Sequence, residues 1–300
     1  MKQIFKTTVL LALLTGLFMA VGYMVGGQSG IIIAFGLAAL MNFGMFWFSS
    51  SLVLKMQRAQ PLDEKQHANI VRIIRELTTA DNLPMPKLYL VDTPIPNAFA
   101  TGRSPKHAAV AVTTGILDIL NDAELKAVLG HELGHVKNRD MLVSTVAATI
   151  AGAISFLAEM LFWGGALFGG GDNEDSPNPL AALAMIILAP LAAMLIQMAV
   201  SRSREFLADQ HGAGLVGSGR DLASALQKLE NFKQHVPPIQ PSPAEQSAAH
   251  LMFANMFSTK GLAGLFSTHP STEARVQRLN EFNARQAQRG ATGGAILERR

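Results

Sequence analysis

Residues 131–135 read His131-Glu132-Leu133-Gly134-His135, which is the pattern H-E-x-x-H. On a helix, side chains four residues apart lie on one face, so the two imidazoles can bind a single Zn²⁺. The glutamate between them is turned about 100° around the helix axis and can reach a water on that metal. Two surface histidines beside a solvated glutamate are the structural alternative. The pattern favours a metal site with a general base.

The helix that carries this pattern has a predicted start in water. Asn121, followed three residues later by Glu124, predicts a capping box, in which the two side chains satisfy each other's backbone N–H groups. Leu125, Val128 and Leu129 then predict the buried face. Because the first half of the helix is polar, the sequence argues against an intramembrane protease, whose metal-binding helix would be apolar throughout.

The composition argues against a simple soluble protein and limits the possible chemistry. Of the 300 residues, 49% are hydrophobic and only 16% are charged. The absence of cysteine excludes disulfides, thiolate nucleophiles and thiolate zinc sites, so His and carboxylate side chains must hold any metal. A net charge of +3 without a dense basic patch implies no nucleic-acid partner.

Four apolar runs, at residues 7–24, 30–54, 141–168 and 180–200, predict two membrane hairpins. At 1.5 Å per residue, each of the first two can cross a hydrocarbon core of about 30 Å. A cleaved secretory signal is the alternative for the first run. A buried helix pair in a soluble core is the alternative for the third and fourth runs.

Basic residues predict the orientation of these hairpins. The connecting turns at residues 25–29 and 169–179 contain no Lys or Arg, whereas every outer flank does. By the positive-inside rule, both termini and the H-E-x-x-H helix then lie on the cytoplasmic side. The basic flanks are Lys2, Lys6, Lys55, Arg58, Lys137, Arg139, Arg202 and Arg204.

The remaining segments predict a mainly α fold with a small β-sheet, in an integral membrane protein with about four transmembrane helices. Strands are expected at residues 87–91 and 107–113, and a Pro-rich loop at 236–244. Helices are expected at residues 62–80, 204–213, 220–232 and 272–282. The predicted domains are a hairpin (1–58), a first catalytic half (59–140), a second hairpin (141–200), a second catalytic half (201–284) and a frayed, flexible tail (285–300).

A catalytic zinc needs a third protein ligand and an open position for water. With no cysteine, that ligand is Glu, Asp or His. Glu205 and Asp209 are four residues apart and share a helical face, so one can bind the metal while the other accepts the second N–H of an imidazole. The structural alternative is an ion pair of Glu205 with Arg202 or Arg204.

Four motifs together give the chain its resemblance to HtpX-type membrane zinc metallopeptidases, bacterial relatives of the CAAX prenyl endopeptidases. These motifs are His131-Glu132-Leu133-Gly134-His135, Glu205-Phe206-Leu207-Ala208-Asp209, Asn97-Ala98-Phe99-Ala100-Thr101-Gly102 and Thr268-His269-Pro270. The resemblance covers nearly the whole chain. It implies a zincin-type catalytic domain with one Zn²⁺ per chain, bound by His131, His135 and Glu205.

The resemblance also implies roles around the metal. Glu132 would be the general base, and Asp209 would support a ligating imidazole. His269 and Arg275 would be candidates to stabilise the oxyanion, although a turn histidine before proline is usually structural. A strand edge beside the cleft would comprise Asn97, Ala98, Phe99 and Ala100. The other histidines, His67, His107, His235 and His250, are interpreted as surface or packing residues, and His211 is expected to point away from Asp209.

The function implied is cleavage of misfolded or membrane proteins from the cytoplasmic side of the bacterial inner membrane. The partners would be polypeptide substrates, the lipid bilayer and other proteases of protein quality control and the stress response. One alternative is a processing peptidase with a narrow substrate, such as a prenylated tail. Another is a membrane scaffold or chaperone in which zinc only locks two helices together.

Overall fold

The computed structural model describes residues 2–142, 202–235, 253 and 270–297. The predictions for the third and fourth apolar runs, for the Pro-rich loop and for His269 fall outside these residues. The domain boundaries drawn from the sequence stay a prediction. The chain divides into two compact units, one of Met1–Gln57, Met141–Val200 and Pro241–Leu251, the other of Arg58–Asp140, Ser201–Gln240 and Met252–Arg300.

Helix α1 comprises Lys2–Met56 and turns back on itself. In a straight helix, residues separated by 27 positions lie about 40 Å apart. Asn42 Nδ2 nevertheless donates a hydrogen bond to Thr15 Oγ1 at 2.8 Å. The chain therefore reverses direction between these two residues. Gly27 lies inside that interval and has a φ of 56°, a backbone conformation that glycine adopts without a steric clash.

One stretch among the described helices, Gly27–Gly44 in α1, is long and apolar enough to cross a membrane, with a mean hydropathy of 1.4. Most of the large apolar side chains that are exposed in the described residues also lie on α1, among them Ile32, Phe43 and Phe48. An exposed apolar surface of this kind is typical of an interaction with lipid or with another protein. The topology of two membrane hairpins stays a prediction.

A four-stranded sheet belongs to the second unit. Its strands are β1 (Gln60–Pro61), β2 (Lys87–Val91), β3 (Ala98–Gly102) and β4 (Ala108–Thr113), in the order β1-β2-β4-β3. Strand β4 pairs parallel with β2 and antiparallel with β3, so β3 lies at an edge. Both predicted strands are confirmed; β4 begins one residue late because a 3₁₀ turn occupies Pro105–His107.

The described residues of this unit are mostly helical and include one small sheet, which confirms a mainly α fold with a small sheet. Helix α2 begins later than predicted, because Asp63 Oδ1 accepts the Lys65 N–H at 2.9 Å and forms a turn. The last helix continues well beyond residue 282, through residues for which the sequence predicted fraying. The helices are α2 (Ala68–Asp81), α3 (Thr114–Ile119), α4 (Asp122–Asn138), α5 (Arg202–Val216), α6 (Arg220–His235) and α7 (Thr272–Leu297).

The predicted capping box starts α4. Asn121 Oδ1 accepts the Glu124 N–H at 2.9 Å, and Glu124 Oε2 accepts the Asn121 N–H at 2.9 Å. Glu124 also accepts hydrogen bonds from Ser224 Oγ at 2.7 Å and Lys228 Nζ at 2.8 Å, which fastens α6 to the start of α4. The predicted apolar face is confirmed as core, since Leu125, Val128 and Leu129 are buried.

Candidate metal centre

Helices α4 and α5 approach each other so closely that only very small residues fit between them. A Cβ atom added to Gly212 would lie 2.6 Å from the backbone nitrogen of His131. A Cβ on Gly130 would lie 3.3 Å from the Gly212 Cα, and one on Gly134 would lie 3.3 Å from the Ala208 Cα. The absence of side chains at these glycines lets α5 bring its carboxylates beside the histidines of α4.

Three predicted ligands meet at this helix contact. His131 Nε2 and His135 Nε2 lie 3.1 Å apart. The Glu205 carboxylate oxygens lie 3.7 Å from His131 Nε2 and 3.6 Å from His135 Nε2. Tetrahedral zinc with bonds of about 2.0–2.2 Å separates its ligand atoms by about 3.3–3.6 Å. The three measured separations lie within about 0.2 Å of that range, with one Glu205 oxygen near each imidazole.

The buried charges around these donors also fit a divalent cation. Four carboxylates and two guanidinium groups give a formal charge of −2 when the imidazoles are neutral. A buried net charge of this size is costly unless an opposite charge compensates it. The groups concerned are Glu132, Asp140, Glu205, Asp209, Arg204 and Arg275, all buried.

A carboxylate contacts the Nδ1 atom of each imidazole, on the side of the ring opposite the metal-facing Nε2. His131 Nδ1 lies 2.9 Å from Asp209 Oδ1, as the predicted supporting role of Asp209 requires. His135 Nδ1 lies 3.4 Å from Asp140 Oδ2, a contact that sequence reasoning missed. Arg139 ends α4 in the left-handed conformation, with φ of 59°, and this turn directs Asp140 back towards His135. Both imidazoles therefore turn their Nε2 atoms towards Glu205.

Burial and neighbouring charges separate the pKa values in the site. Burial lowers the pKa of His131 to about 4, although Asp209 opposes this change. Burial also acts to lower the pKa of His135, but Asp140, Glu205 and Glu132 outweigh it and raise that pKa to about 9. His131 is thus neutral at pH 7 and offers a lone pair, whereas a proton and a cation compete for His135 Nε2.

Glu132 lies between the histidines and the edge strand of the sheet. Its Oε2 accepts the Ala100 N–H at 2.9 Å. Burial raises the pKa of Glu132 to about 7, helped by Glu205 and opposed by His135, Ala100 and Arg275. A carboxyl group with this pKa can both take and return a proton near neutral pH.

The predicted strand edge is the start of β3. Asn97 precedes the strand, and Ala98, Phe99 and Ala100 are its first three residues. The Thr113 N–H donates to the Asn97 carbonyl, so Asn97 faces β4. Because amide direction alternates along an antiparallel pair, the outward groups belong to Ala98 and Ala100.

The geometry at Arg275 favours support of Asp209 over the predicted contact with an oxyanion. Its Nε donates to Asp209 Oδ2 at 2.9 Å, and its Nη2 donates to Asp209 Oδ1 at 2.6 Å. Its Nη1 donates to the Phe253 carbonyl at 2.9 Å. The side chain is 2% exposed, so its donors are directed at protein groups behind His131.

The structure bears on two interpretations from the sequence, the ion pair of Arg204 with Glu205 and the direction of His211. Among the described residues, no hydrogen-bond partner is found for the buried guanidinium nitrogens of Arg204, so Glu205 acts on Arg204 through its charge and not through a hydrogen-bonded ion pair. His211 Nε2 lies 2.9 Å from Asp81 Oδ2, at the end of α2. Its contact with a different helix agrees with the expectation that it points away from Asp209.

The helix contact predicts the effect of a single added methyl group. Gly212→Ala should separate α4 from α5, costing about 1–3 kcal/mol of stability and weakening zinc binding. Gly214→Ala is the matched control, because a Cβ there has no heavy atom within 4 Å. Thermal unfolding in detergent and bound zinc measured by atomic absorption test both variants. Equal behaviour of the two would contradict the tight contact.

The Asp209–Arg275 pair predicts a second effect. Asp209→Asn leaves the buried guanidinium without its anion and should cost about 3 kcal/mol of unfolding free energy. Adding Arg275→Met removes that unpaired charge, so the double variant should be more stable than Asp209→Asn alone. Unfolding midpoints of the three chains measure this coupling. A double variant whose losses simply add would argue against a shared ion pair.

Comparisons with known proteins show the family of this chain. The family described as Peptidase family M48 matches residues 64–283. A protein from Syntrophobacter fumaroxidans called "Protease HtpX homolog" is 53% identical over 93% of this chain and 99% of its own length. One of the same name from Methylibium petroleiphilum is 50% identical over 93% and 97%. The crystal structure of S. mikatae Ste24p, 16% identical, gives a TM-score of 0.48 over 93% of this chain and 65% of that one. The chain belongs to peptidase family M48 and is a metalloprotease.

Proposed function

We propose that this chain is a zinc-dependent endopeptidase of the bacterial inner membrane that cleaves misfolded or membrane proteins from the cytoplasmic side. The observation that carries the proposal is the position of Glu132. Its carboxylate lies on the helix of the two ligating histidines and at the same time contacts the Ala100 N–H of the edge strand. A general base is thus placed between a metal centre and a backbone that can hold a peptide.

In the proposed reaction, His131, His135 and Glu205 would hold a zinc ion, which when bound would supply Lewis-acid chemistry for a peptide carbonyl and a more acidic water. Glu132 accepts the proton of that water and later donates it to the leaving amine. Asp209 and Asp140 keep the imidazole rings in orientation through their Nδ1 atoms.

The edge strand suggests how the substrate is held. Ala98 and Ala100 are 0% and 6% exposed, and the Ala100 N–H is bound to Glu132. An extended peptide that gains access to this edge can add to β3 through the Ala98 N–H and the carbonyl groups of Ala98 and Ala100. Main-chain hydrogen bonds of this kind do not depend on the side chains of the substrate. They therefore favour broad specificity over a single processing site. Unfolded segments can adopt the extended conformation that such pairing needs, so misfolded proteins are suitable substrates.

The membrane assignment rests on the apolar helix α1 and on the charge pattern of the sequence. Gly27–Gly44 is long and apolar enough to cross a bilayer. The basic flanks predict that the catalytic segments lie on the cytoplasmic side. A scaffold with a purely structural zinc is disfavoured, because such sites use four protein ligands and the described residues bring together three.

Glu132→Gln tests the general base. The amide has nearly the same shape but cannot accept a proton, so cleavage of an unfolded protein should fall by a factor of about 10² or more. Zinc content should stay at one ion per chain, and thermal unfolding should change little. Residual activity at the level of the unaltered chain would eliminate Glu132 as the base. In the unaltered chain, chelation should abolish cleavage and added zinc should restore it.

A further inference from the structure

Phe253 joins two parts of the site through its backbone. Its N–H donates to Asn97 Oδ1 at 3.0 Å, and its carbonyl accepts from Arg275 Nη1 at 2.9 Å. Asn97 is 156 positions away along the chain. Both main-chain polar groups of this one residue are therefore bound by side chains from other segments, in place of regular secondary structure.

The ring of Phe253 contacts the metal-binding histidine itself and the arginine that supports Asp209 behind it. It meets the His131 imidazole edge to face, with centroids 5.0 Å apart and planes at 86°. The Arg275 guanidinium carbon lies 4.7 Å from the ring centroid. The side chain is 2% exposed, so these contacts are shielded from water. An edge-to-face contact of this kind resists tilting of the imidazole plane. The hydrogen bond to Asp209 fixes only the position of the imidazole Nδ1 and leaves that tilt free.

Asn97 connects Phe253 to the sheet. Its N–H donates to Thr113 Oγ1 at 2.8 Å, and its carbonyl accepts the Thr113 N–H at 3.0 Å. With its backbone held by β4 and its side chain held by Phe253, Asn97 fixes the first residue of β3. Three positions later, Ala100 donates to Glu132.

We propose that Phe253 is a positioning residue that sets the edge strand β3 in register with His131. The inference rests on the proposed peptidase function, because it assigns a task in presenting a peptide to the metal centre. A peptide on β3 takes its position from the strand, and the metal takes its position from α4 and α5. Phe253 contacts both sets of elements, so it determines where the scissile carbonyl lies relative to the metal.

Phe253→Leu keeps an apolar side chain of similar volume but removes the flat ring. In the zinc-loaded full chain, kcat on an unfolded protein should fall about 10-fold, as for other residues that orient metal ligands. KM should change by less than about twofold, since the substitution leaves unchanged the backbone groups of β3 that face away from β4. Zinc affinity, measured by competition with a chromophoric chelator, should also weaken, because the ring no longer supports His131.

A matched control and a second pair of variants make the test specific. Phe232→Leu removes a comparable, half-buried ring on α6, which carries none of the four motifs, and should leave kcat within about twofold. Asn97→Ala removes the acceptor for the Phe253 N–H, whereas Asn97→Asp keeps an oxygen there. We expect Asn97→Ala to lower kcat while zinc affinity stays unchanged, and Asn97→Asp to keep most of the original kcat. In a chain that already carries Phe253→Leu, Asn97→Ala should cause little further loss of kcat.

Several results would overturn this inference. They are an unchanged kcat in Phe253→Leu, a chelator titration that matches the unaltered chain, or losses for Phe253→Leu and Asn97→Ala that multiply independently. If Phe253→Leu does not fold, equal losses in Asn97→Ala and Asn97→Asp contradict the proposal by themselves. An unaltered chain that cleaves no polypeptide contradicts the proposed function, whereas an active one with an equally active Phe253→Leu contradicts only the inference about Phe253.

Discussion

The close packing of α4 against α5 is the constraint on which the rest of the site depends. Where Gly212 meets the backbone of His131, a Cβ would already be too close. This contact places Glu205 opposite the two imidazoles and Asp209 behind one of them. Bonds to zinc are only about 2.0–2.2 Å long, so a shift of about 1 Å between the helices would move the ligand atoms out of the tetrahedral spacing that zinc requires. Gly212 of α5 therefore matters as much for packing as the histidines of the H-E-x-x-H pattern matter for ligation.

Electrostatics makes the same contact favour a positive charge at its centre, supplied by a bound cation or by protons on His135 and Glu132, whose pKa values are raised. The helices bring together more buried carboxylates than guanidinium groups, and burial penalises each unpaired charge. The structure limits this penalty locally with the Asp209–Arg275 pair and leaves the excess charge at the centre, beside Glu205 and Glu132. Metal affinity and the stability of the fold are coupled for this reason, because the ion that completes the site also relieves the repulsion.

The sequence predicted the parts of the site that depend on local periodicity and strong chemistry. The capping box at Asn121, the shared face of His131 and His135, and the pairing of Glu205 with Asp209 follow from helical spacing and the absence of cysteine. Asp140 could have been suspected as an acid just past the end of α4, but its return towards His135 needs the left-handed Arg139. Phe253 gave no signal, because a phenylalanine after Leu251 and Met252 reads as ordinary core. The far end of α7 was missed because its polar, Gly-containing sequence has weak helix propensity.

The spread of the site along the chain has a consequence for biosynthesis. Translation delivers residues at about 5–20 per second, so Glu205 follows His135 by roughly 4–14 s. Arg275 and Phe253, which support His131, emerge later still. During that interval the two histidines form at most half of a binding site, without their carboxylate ligand. The growing polypeptide thus carries no assembled hydrolytic centre while its apolar segments are being synthesised, and hydrolytic competence is acquired only after Arg275 has emerged.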